Sequence, residues 1–389
     1  MNILVVHNYY KIRAGEDTVF NNEVKLLREH GHNVITYTRD NCELDSLPII
    51  KKCLLPFTTL FSIKTYAEIR KIIKDNRIDI IHVHNNICLI SPSVFYAGFN
   101  MKVPVIQTIH HFRMNCPAAT LFRDGHICEE CIERNEFHGV KYKCYKNSYS
   151  NTFAVALMNE LHKIIGTYRK MNFICLTDFN KDKLLEINKR KKYISPSKVY
   201  IKPNFSPFSY RYLSYEKRKK QIIYAGRLYS TKGIQILFES WKRISQYDLV
   251  VFGTGPVEDW CKDFIKKNNI SNIQMMGVVK NIDLMEHIAE SKALILPTQW
   301  YEGFPMVLVE SFSCGTPVLG SQLGNVGSII KEGINGFHFD QNSVDSIVEA
   351  VNKLHDICES TKKTSEELYS LEANYKMLID IYDSCIKNN

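Results

Sequence analysis

No stretch of this 389-residue chain approaches the roughly 20 consecutive apolar residues that span a bilayer. The opening MNILVVHNYYK has no basic leader ahead of its apolar run, so it reads as a first strand and not as a signal peptide. A cytoplasmic protein is expected, and its twelve cysteines are then reduced thiols or metal ligands in place of disulfides. There is no Asp-x-Asp anywhere, so no obvious metal-diphosphate site is offered. A G-x-G-x-x-G fingerprint is missing too, which weighs against a dinucleotide-dependent dehydrogenase. No internal repeat or low-complexity tract is found.

What is present is a packed globular composition, 45% hydrophobic and 23% charged, long enough for two domains. The first half alternates short apolar runs (NILVVHN, NVITYT, IDIIHVH, VPVIQTIH, FICLT) with helical spacing such as DTVFNNEVKLLREHG. The alternation restarts after KVYIKPNF, with QIIYAGRL, YDLVVFGTG, NIQMMG, KALILPT and TPVLGS as strands. This βαβ pattern predicts α/β architecture: two doubly wound, Rossmann-like domains facing a cleft, with ligands at the carboxyl ends of the strands. Residues 1–205 form the expected N-terminal domain and 206–365 the C-terminal one, with a final helix in 366–389 expected to pack back on the first.

After KALILPT comes TQWYEGFPMVLVESFSCG, where Glu302 and Glu310 flank a turn that leads into a helix. Pro305 suits the first helical position, since its missing N–H has no partner there. Both carboxylates can then face one site, with helix-start N–H groups between them that bind phosphate. A nucleotide-sugar matches all three features: ribose hydroxyls, a diphosphate and a sugar ring. A carboxylate placed near a helix start for dipole reasons alone is the plainer reading. In AGRLYSTKG, Arg227 ends a strand and Lys232 precedes a helix. Arg227 can grip a diphosphate leaving group through two donors and Lys232 as a point charge, in place of a metal.

Together, GRL-xxx-KG, then G-x-G-P (Gly253, Gly255, Pro256), then E-G-F-P-x-x-x-x-E resemble the retaining family-four glycosyltransferases, of GT-B fold. The resemblance spans nearly the whole chain. It implies that Arg227 and Lys232 hold the donor diphosphate, that Glu302 contacts the donor sugar and Glu310 the ribose. Main-chain N–H groups around Gly303, Phe304 and Met306 would contact phosphate or sugar. The loop YYKIRAGEDTV corresponds to the family's glycine-rich loop, with Gly15 and Glu16 matching and Ala14 in place of a glycine. His110 matches a T-x-H position that faces the donor sugar. His84, with His111 beside His110, ends a strand, and Asn204 is a further binding candidate. No protein nucleophile is implied: the departing phosphate takes the acceptor proton on the same face, configuration is retained, and His110 orients the sugar.

Four cysteines, Cys116, Cys128, Cys131 and Cys144, fall in CPAATLFRDGHICEECIERNEFHGVKYKC. The Cys128-x-x-Cys131 pair has zinc-knuckle spacing, and the other two could complete a tetrahedral site. A structural zinc and a reduced thiol cluster both remain open. No cofactor is expected for catalysis. This run also resembles a subset of bacterial surface-polysaccharide enzymes, which implies capsule or O-antigen assembly.

The net charge of +9 favours an anionic partner. Between Lys51 and Arg77 stand seven basic residues against two acids, mixed with Leu54, Leu55, Phe57, Leu60 and Phe61. That segment predicts peripheral docking on an anionic membrane face, where a polyprenyl-diphosphate-linked saccharide would be the acceptor. An ordinary domain helix with a core face is the competing reading. Nucleic acid is not expected, because a nucleic-acid-binding role leaves Glu302 and Glu310 facing phosphate without purpose. An epimerase or phosphorylase-like enzyme on a related fold is the alternative, although no segment matches a lysine that anchors pyridoxal phosphate.

Overall fold

A computed structural model describes every residue except Ala14, Phe208 and Ser209; the side chains of Lys51, Lys52 and Cys53 are also outside the described set. The chain divides into two compact units. Met1–Arg123, Cys128–Lys202 and Tyr375–Asn389 form the first, Asp124–Ile127 and Pro203–Asn374 the second. The crossing between units therefore falls at Lys202/Pro203, three residues before the expected boundary, and only the last part of 366–389 returns to the first unit.

The first unit is built on a parallel sheet of β1 (Asn2–Tyr9), β2 (Asn33–Asp40), β3 (Ile80–Val83), β4 (Val105–Ile109), β7 (Asn172–Cys175) and β8 (Val199–Ile201), the intervening β5 (Phe122–Arg123) and β6 (His126–Ile127) pairing only with each other. Its order is β2-β1-β3-β4-β7-β8. Such strands are covered on both faces, which is why β1 reads as one apolar run with six consecutive buried residues. One face packs Phe20, Val24 and Leu27 of the helix Gly15–Glu29 together with Leu378, Ile381, Tyr382 and Cys385 of the terminal helix Leu371–Lys387. Tyr375 of that helix stacks on His30 at 3.6 Å and its hydroxyl lies 2.9 Å from His32.

The second unit has β9 (Lys219–Ala225), β10 (Asp248–Phe252), β11 (Ile273–Gly277), β12 (Ser291–Leu296), β13 (Val318–Ser321) and β14 (Gly336–Phe339), in the order β11-β10-β9-β12-β13-β14, all parallel. The order reverses between β9 and β12. Connections from those two strands leave in opposite directions, so a crevice opens at their carboxyl ends. This is the two-domain α/β architecture that the alternating pattern predicts.

The segment 51–77 is not one helix. A helix Ile49–Leu60 ends before Ser62, whose hydroxyl caps a second helix Ile63–Asn76 by accepting from the Thr65 N–H. The core face belongs to the second helix, through Ile69 and Ile73. The first leaves Ile49, Ile50, Leu54 and Phe57 exposed, whereas Leu55 and Leu60 are half-buried. No described helix is long and apolar enough to cross a membrane.

Candidate active site

At the β9/β12 switch point the chain places Ala225 and Gly226 beside Leu296, Pro297 and Thr298, lining a cavity with Lys232, Glu302, Pro305 and Val307. Lys232 stands in a single turn, Ser230–Lys232, closed by Gly233 at φ +71°. A Cβ on Gly233 would overlap the Pro297 carbonyl oxygen, so only glycine lets these two loops approach. Their approach puts Lys232 Nζ 2.6 Å from Glu302 Oε1. The same oxygen accepts from Thr298 Oγ1 at 2.9 Å and from Trp300 Nε1 at 2.8 Å. Three donors on one carboxylate oxygen fix its direction. Asn325, fully buried, donates to the Glu302 carbonyl at 2.7 Å and to the Gly303 carbonyl, locking the turn itself.

A second cavity adjoins the first, sharing Ala225, Gly226 and Val307 with it. Arg227, Gly253, Thr254, Leu284 and Glu310 are among its other lining residues, around about 720 Å³ of open space. Arg227 is exposed. The helix Met306–Ser313 carries Glu310 as its fifth residue, and Pro305 precedes the helix at the cap, one position earlier than its sequence suggests. Burial raises the Glu310 carboxyl above its usual range, and a bond to Asn281 opposes the rise. Arg227, Lys232, Glu302 and Glu310 therefore come together on one continuous surface of the second unit. Gly303, Phe304 and Met306 lie on the turn and helix start between the two glutamates, Phe304 and Met306 packing partly on the core below. Asn204 lines neither cavity: it is buried, and its Oδ1 has no hydrogen-bond partner among the described residues.

In the first unit, His110 follows β4 and His84 follows β3, so both stand at carboxyl ends of neighbouring strands. Both line a cavity with Asn85, Asn86, His111, Arg113 and Asn159. Burial, and then the neighbouring imidazoles of His84, His111 and His7, hold His110 well below the usual imidazole range, so its ring is neutral near pH 7. Burial and Arg113 bring His111 down to about 3. Gly15 opens the helix Gly15–Glu29 and is exposed. Glu16 accepts a 2.9 Å bond from the Tyr10 hydroxyl, and burial raises its carboxyl to about 8. The Ala14 departure in this loop lies outside the described residues.

The four cysteines share one segment, close enough for Cys131 to feel Cys116 and Cys144 and for Cys144 to feel Cys116 and Cys128. Among the described residues, the only group of three His, Cys, Asp or Glu with ligand atoms within 4.8 Å of one another is Glu23, His82 and His84. Burial raises the thiols of Cys116, Cys131 and Cys144, and neighbouring thiols add to the rise at Cys131 and Cys144. His138, in the same segment, is engaged by Glu130 at 2.6 Å.

Sequence reasoning missed Thr298, Trp300 and Asn325 as supports of Glu302. Thr298 and Trp300 carry a signal, since both flank the turn; Asn325, 23 residues away, carries none.

Comparison with known proteins follows this division. The family model described as Glycosyltransferase Family 4 matches residues 15–168, and that described as Glycosyl transferases group 1 matches 212–370. An uncharacterized 41.2 kDa protein in the cps region of Klebsiella pneumoniae is 24% identical, over 90% of this chain and 89% of its own. The Escherichia coli UDP-Gal:alpha-D-GlcNAc-diphosphoundecaprenol alpha-1,3-galactosyltransferase is 23% identical, over 86% of this chain and 80% of its own. An Anabaena protein solved in complex with UDP has a TM-score of 0.64 at 14% identity, covering 99% of this chain and 100% of that one.

Proposed function

The chain is a GT-B glycosyltransferase whose two halves belong to glycosyltransferase family 4 and to the glycosyl transferases of group 1, and from that premise we propose a retaining enzyme that works on a membrane-held acceptor. In this reading it moves a sugar from a nucleoside diphosphate to a polyprenyl-diphosphate-linked saccharide. The observation that carries the reading is the continuous surface at the β9/β12 switch point, with Lys232–Glu302 at one end and Arg227 and Glu310 at the other. The relative from E. coli, named for a nucleotide-sugar donor and a diphosphoundecaprenol acceptor, supports the substrate class.

In the reaction, the bond from the sugar's anomeric carbon to the donor phosphate oxygen breaks. The acceptor oxygen bonds to that carbon from the same face, and its proton passes to the departing phosphate. Arg227 and Lys232 meet the charge that develops on the diphosphate, a preorganised electrostatic role. Glu310, half-enclosed, accepts from ribose hydroxyls, and Glu302 from a sugar hydroxyl. A neutral His110 holds the sugar by a hydrogen bond and has no proton to give as an acid. No metal is assigned a step. Capsule or O-antigen assembly is the pathway class that fits such an acceptor.

The membrane part of the reading rests on the helix Ile49–Leu60. Its side chains Ile49, Ile50, Leu54 and Phe57 face solvent, where a core helix would bury them. The helix Tyr149–Ile164 packs beside it and adds exposed Tyr149, Phe153 and Ile164. Apolar side chains among cations fit an interfacial face.

The test is transfer itself. The protein is incubated with UDP-, GDP- and ADP-sugars and a polyprenyl-diphosphate-linked saccharide, in EDTA. Product with the donor's anomeric configuration is expected. An inverted product, or no transfer until a divalent ion is added, would reject the mechanism.

A further inference from the structure

Behind His110 lies a polar network that the reaction above does not use. Glu23, His82, His84, Lys202 and Tyr382 are all at most 2% exposed. Lys202 Nζ lies 3.0 Å from Glu23 Oε2. His82 Nδ1 lies 3.0 Å and His84 Nε2 3.3 Å from Glu23 Oε1. The His84 contact is off the straight hydrogen-bond line, yet neither of its two atoms has a better-aligned partner among the described residues. On its other side, His84 Nδ1 is 3.0 Å from His110 Nε2, and the two rings stack at 5.2 Å. The Tyr382 hydroxyl, from the terminal helix, is 2.6 Å from His82 Nδ1, and Thr108 Oγ1 is 2.7 Å from His82 Nε2.

Glu23, His82 and His84 could be taken for a metal site. The Lys202 ammonium on the same carboxylate opposes that: a divalent cation there would face a buried positive charge at close range. A different role fits the chain of contacts. We propose that Glu23 and His84 are positioning residues that fix which nitrogen of His110 carries its proton. A carboxylate only accepts hydrogen bonds, so a neutral His84 keeps its proton on Nε2, towards Glu23. His84 Nδ1 is then a lone pair, and His110 donates to it from Nε2. His110 Nδ1 is thereby left as an acceptor, ready for a sugar hydroxyl. With the other tautomer, a lone pair of His84 would face the carboxylate. The ionisation states agree. Burial alone would raise the Glu23 carboxyl, but Lys202 and the two imidazoles hold it well below its usual range. Burial, with His82 beside it, brings His84 down to about 3.

This inference rests on the reading of His110 as the group facing the donor sugar, and two separate measurements keep the two ideas apart. The first is the tautomer, read without substrate by long-range ¹H–¹⁵N correlation on the ¹⁵N-labelled full chain, with His110→Ala used to assign the resonance. His110 protonated at Nε2 is expected. The Nδ1–H form in the wild type would overturn the proposal. The second is kinetic. His84→Leu should lower kcat by about 10- to 100-fold with the donor KM little changed, the scale of a mispositioned group. His84→Asn, whose Oδ1 can stand where Nδ1 accepts, should recover most of that loss. Paired removal of the buried charges, Glu23→Gln with Lys202→Met, should lower kcat and mix the His110 tautomers, in a protein whose melting curve remains cooperative. If His84→Leu folds and keeps wild-type kcat while His110→Ala is inactive, the positioning role is wrong and the site reading stands. If His110→Ala is itself fully active, the reading of His110 fails, and the tautomer measurement still decides what Glu23 and His84 do.

Discussion

At the scale of single residues, the Lys232–Glu302 pair is the most exacting feature. Its side chains are 27% and 12% exposed, so the pair is shielded enough to be directional and open enough to exchange partners. Glu302→Gln keeps the shape but gives Lys232 an uncharged neighbour and takes a negative acceptor from the sugar. Turnover should fall by about 10²-fold or more, the scale of a lost electrostatic contact to the transition state. Circular dichroism and melting should be unchanged; near wild-type turnover would remove Glu302 from the reaction. Glu16 gives a pH test of opposite flavour. Burial raises its carboxyl to about 8, well above the range of an unfolded chain. Between about pH 4.3 and 8 the unfolded state releases this proton while the folded state keeps it, so folding stability is lost as pH rises through that window. Glu16→Gln removes the titration. Its melting temperature relative to wild type should therefore be higher at pH 8 than at pH 5. An equal difference at both values would contradict the raised carboxyl.

At the scale of elements, loops and short helices carry the distinctive chemistry, and sequence read them unevenly. The strand ends that bear Arg227, His110 and Glu302 were legible, because parallel strands are continuous apolar runs and their ends are marked by polar residues. That Lys232 and Glu302 bind each other was not, since it depends on Gly233 settling against Pro297 across 64 residues of chain. Strands as short as Val199–Ile201 and Gly336–Phe339 were also missed: three or four residues carry no period. The split of 51–77 into two helices turns on one Ser62 hydroxyl. It also separates the core face from the exposed one. Liposome sedimentation should show binding that needs anionic lipid and weakens with salt. Ile49→Ser with Phe57→Ser should reduce it without loss of stability, as both are exposed. Wild type that ignores anionic liposomes at low salt would reject this face. The cysteine segment is tied down by other means: Arg123 and His138 on Glu130, and Lys163 and Asn159 on the buried Glu136. That anchoring needs no metal, so metal analysis of the purified protein should find free thiols without stoichiometric zinc. About one zinc per chain would instead establish the four-cysteine site.

At the scale of the whole molecule, each unit repeats one device, a parallel sheet whose strand order reverses and opens a crevice at the carboxyl ends. The second unit sets Arg227, Lys232, Glu302 and Glu310 at its crevice, and the first sets His84 and His110 at the carboxyl ends of β3 and β4. The terminal helix completes the first unit by burying Leu378 and Tyr382 against β1. The account stands or falls on whether the second crevice holds a nucleoside diphosphate. Titration calorimetry with UDP, GDP and ADP in EDTA reads this directly, on wild type and on Arg227→Ala, Lys232→Ala and Glu310→Gln. One of the three nucleotides should bind the wild type, and each substitution should weaken it by about 10-fold or more, the energy of a charge-assisted hydrogen bond. Wild type that binds none of them, or binding that all three substitutions leave intact, would contradict the account.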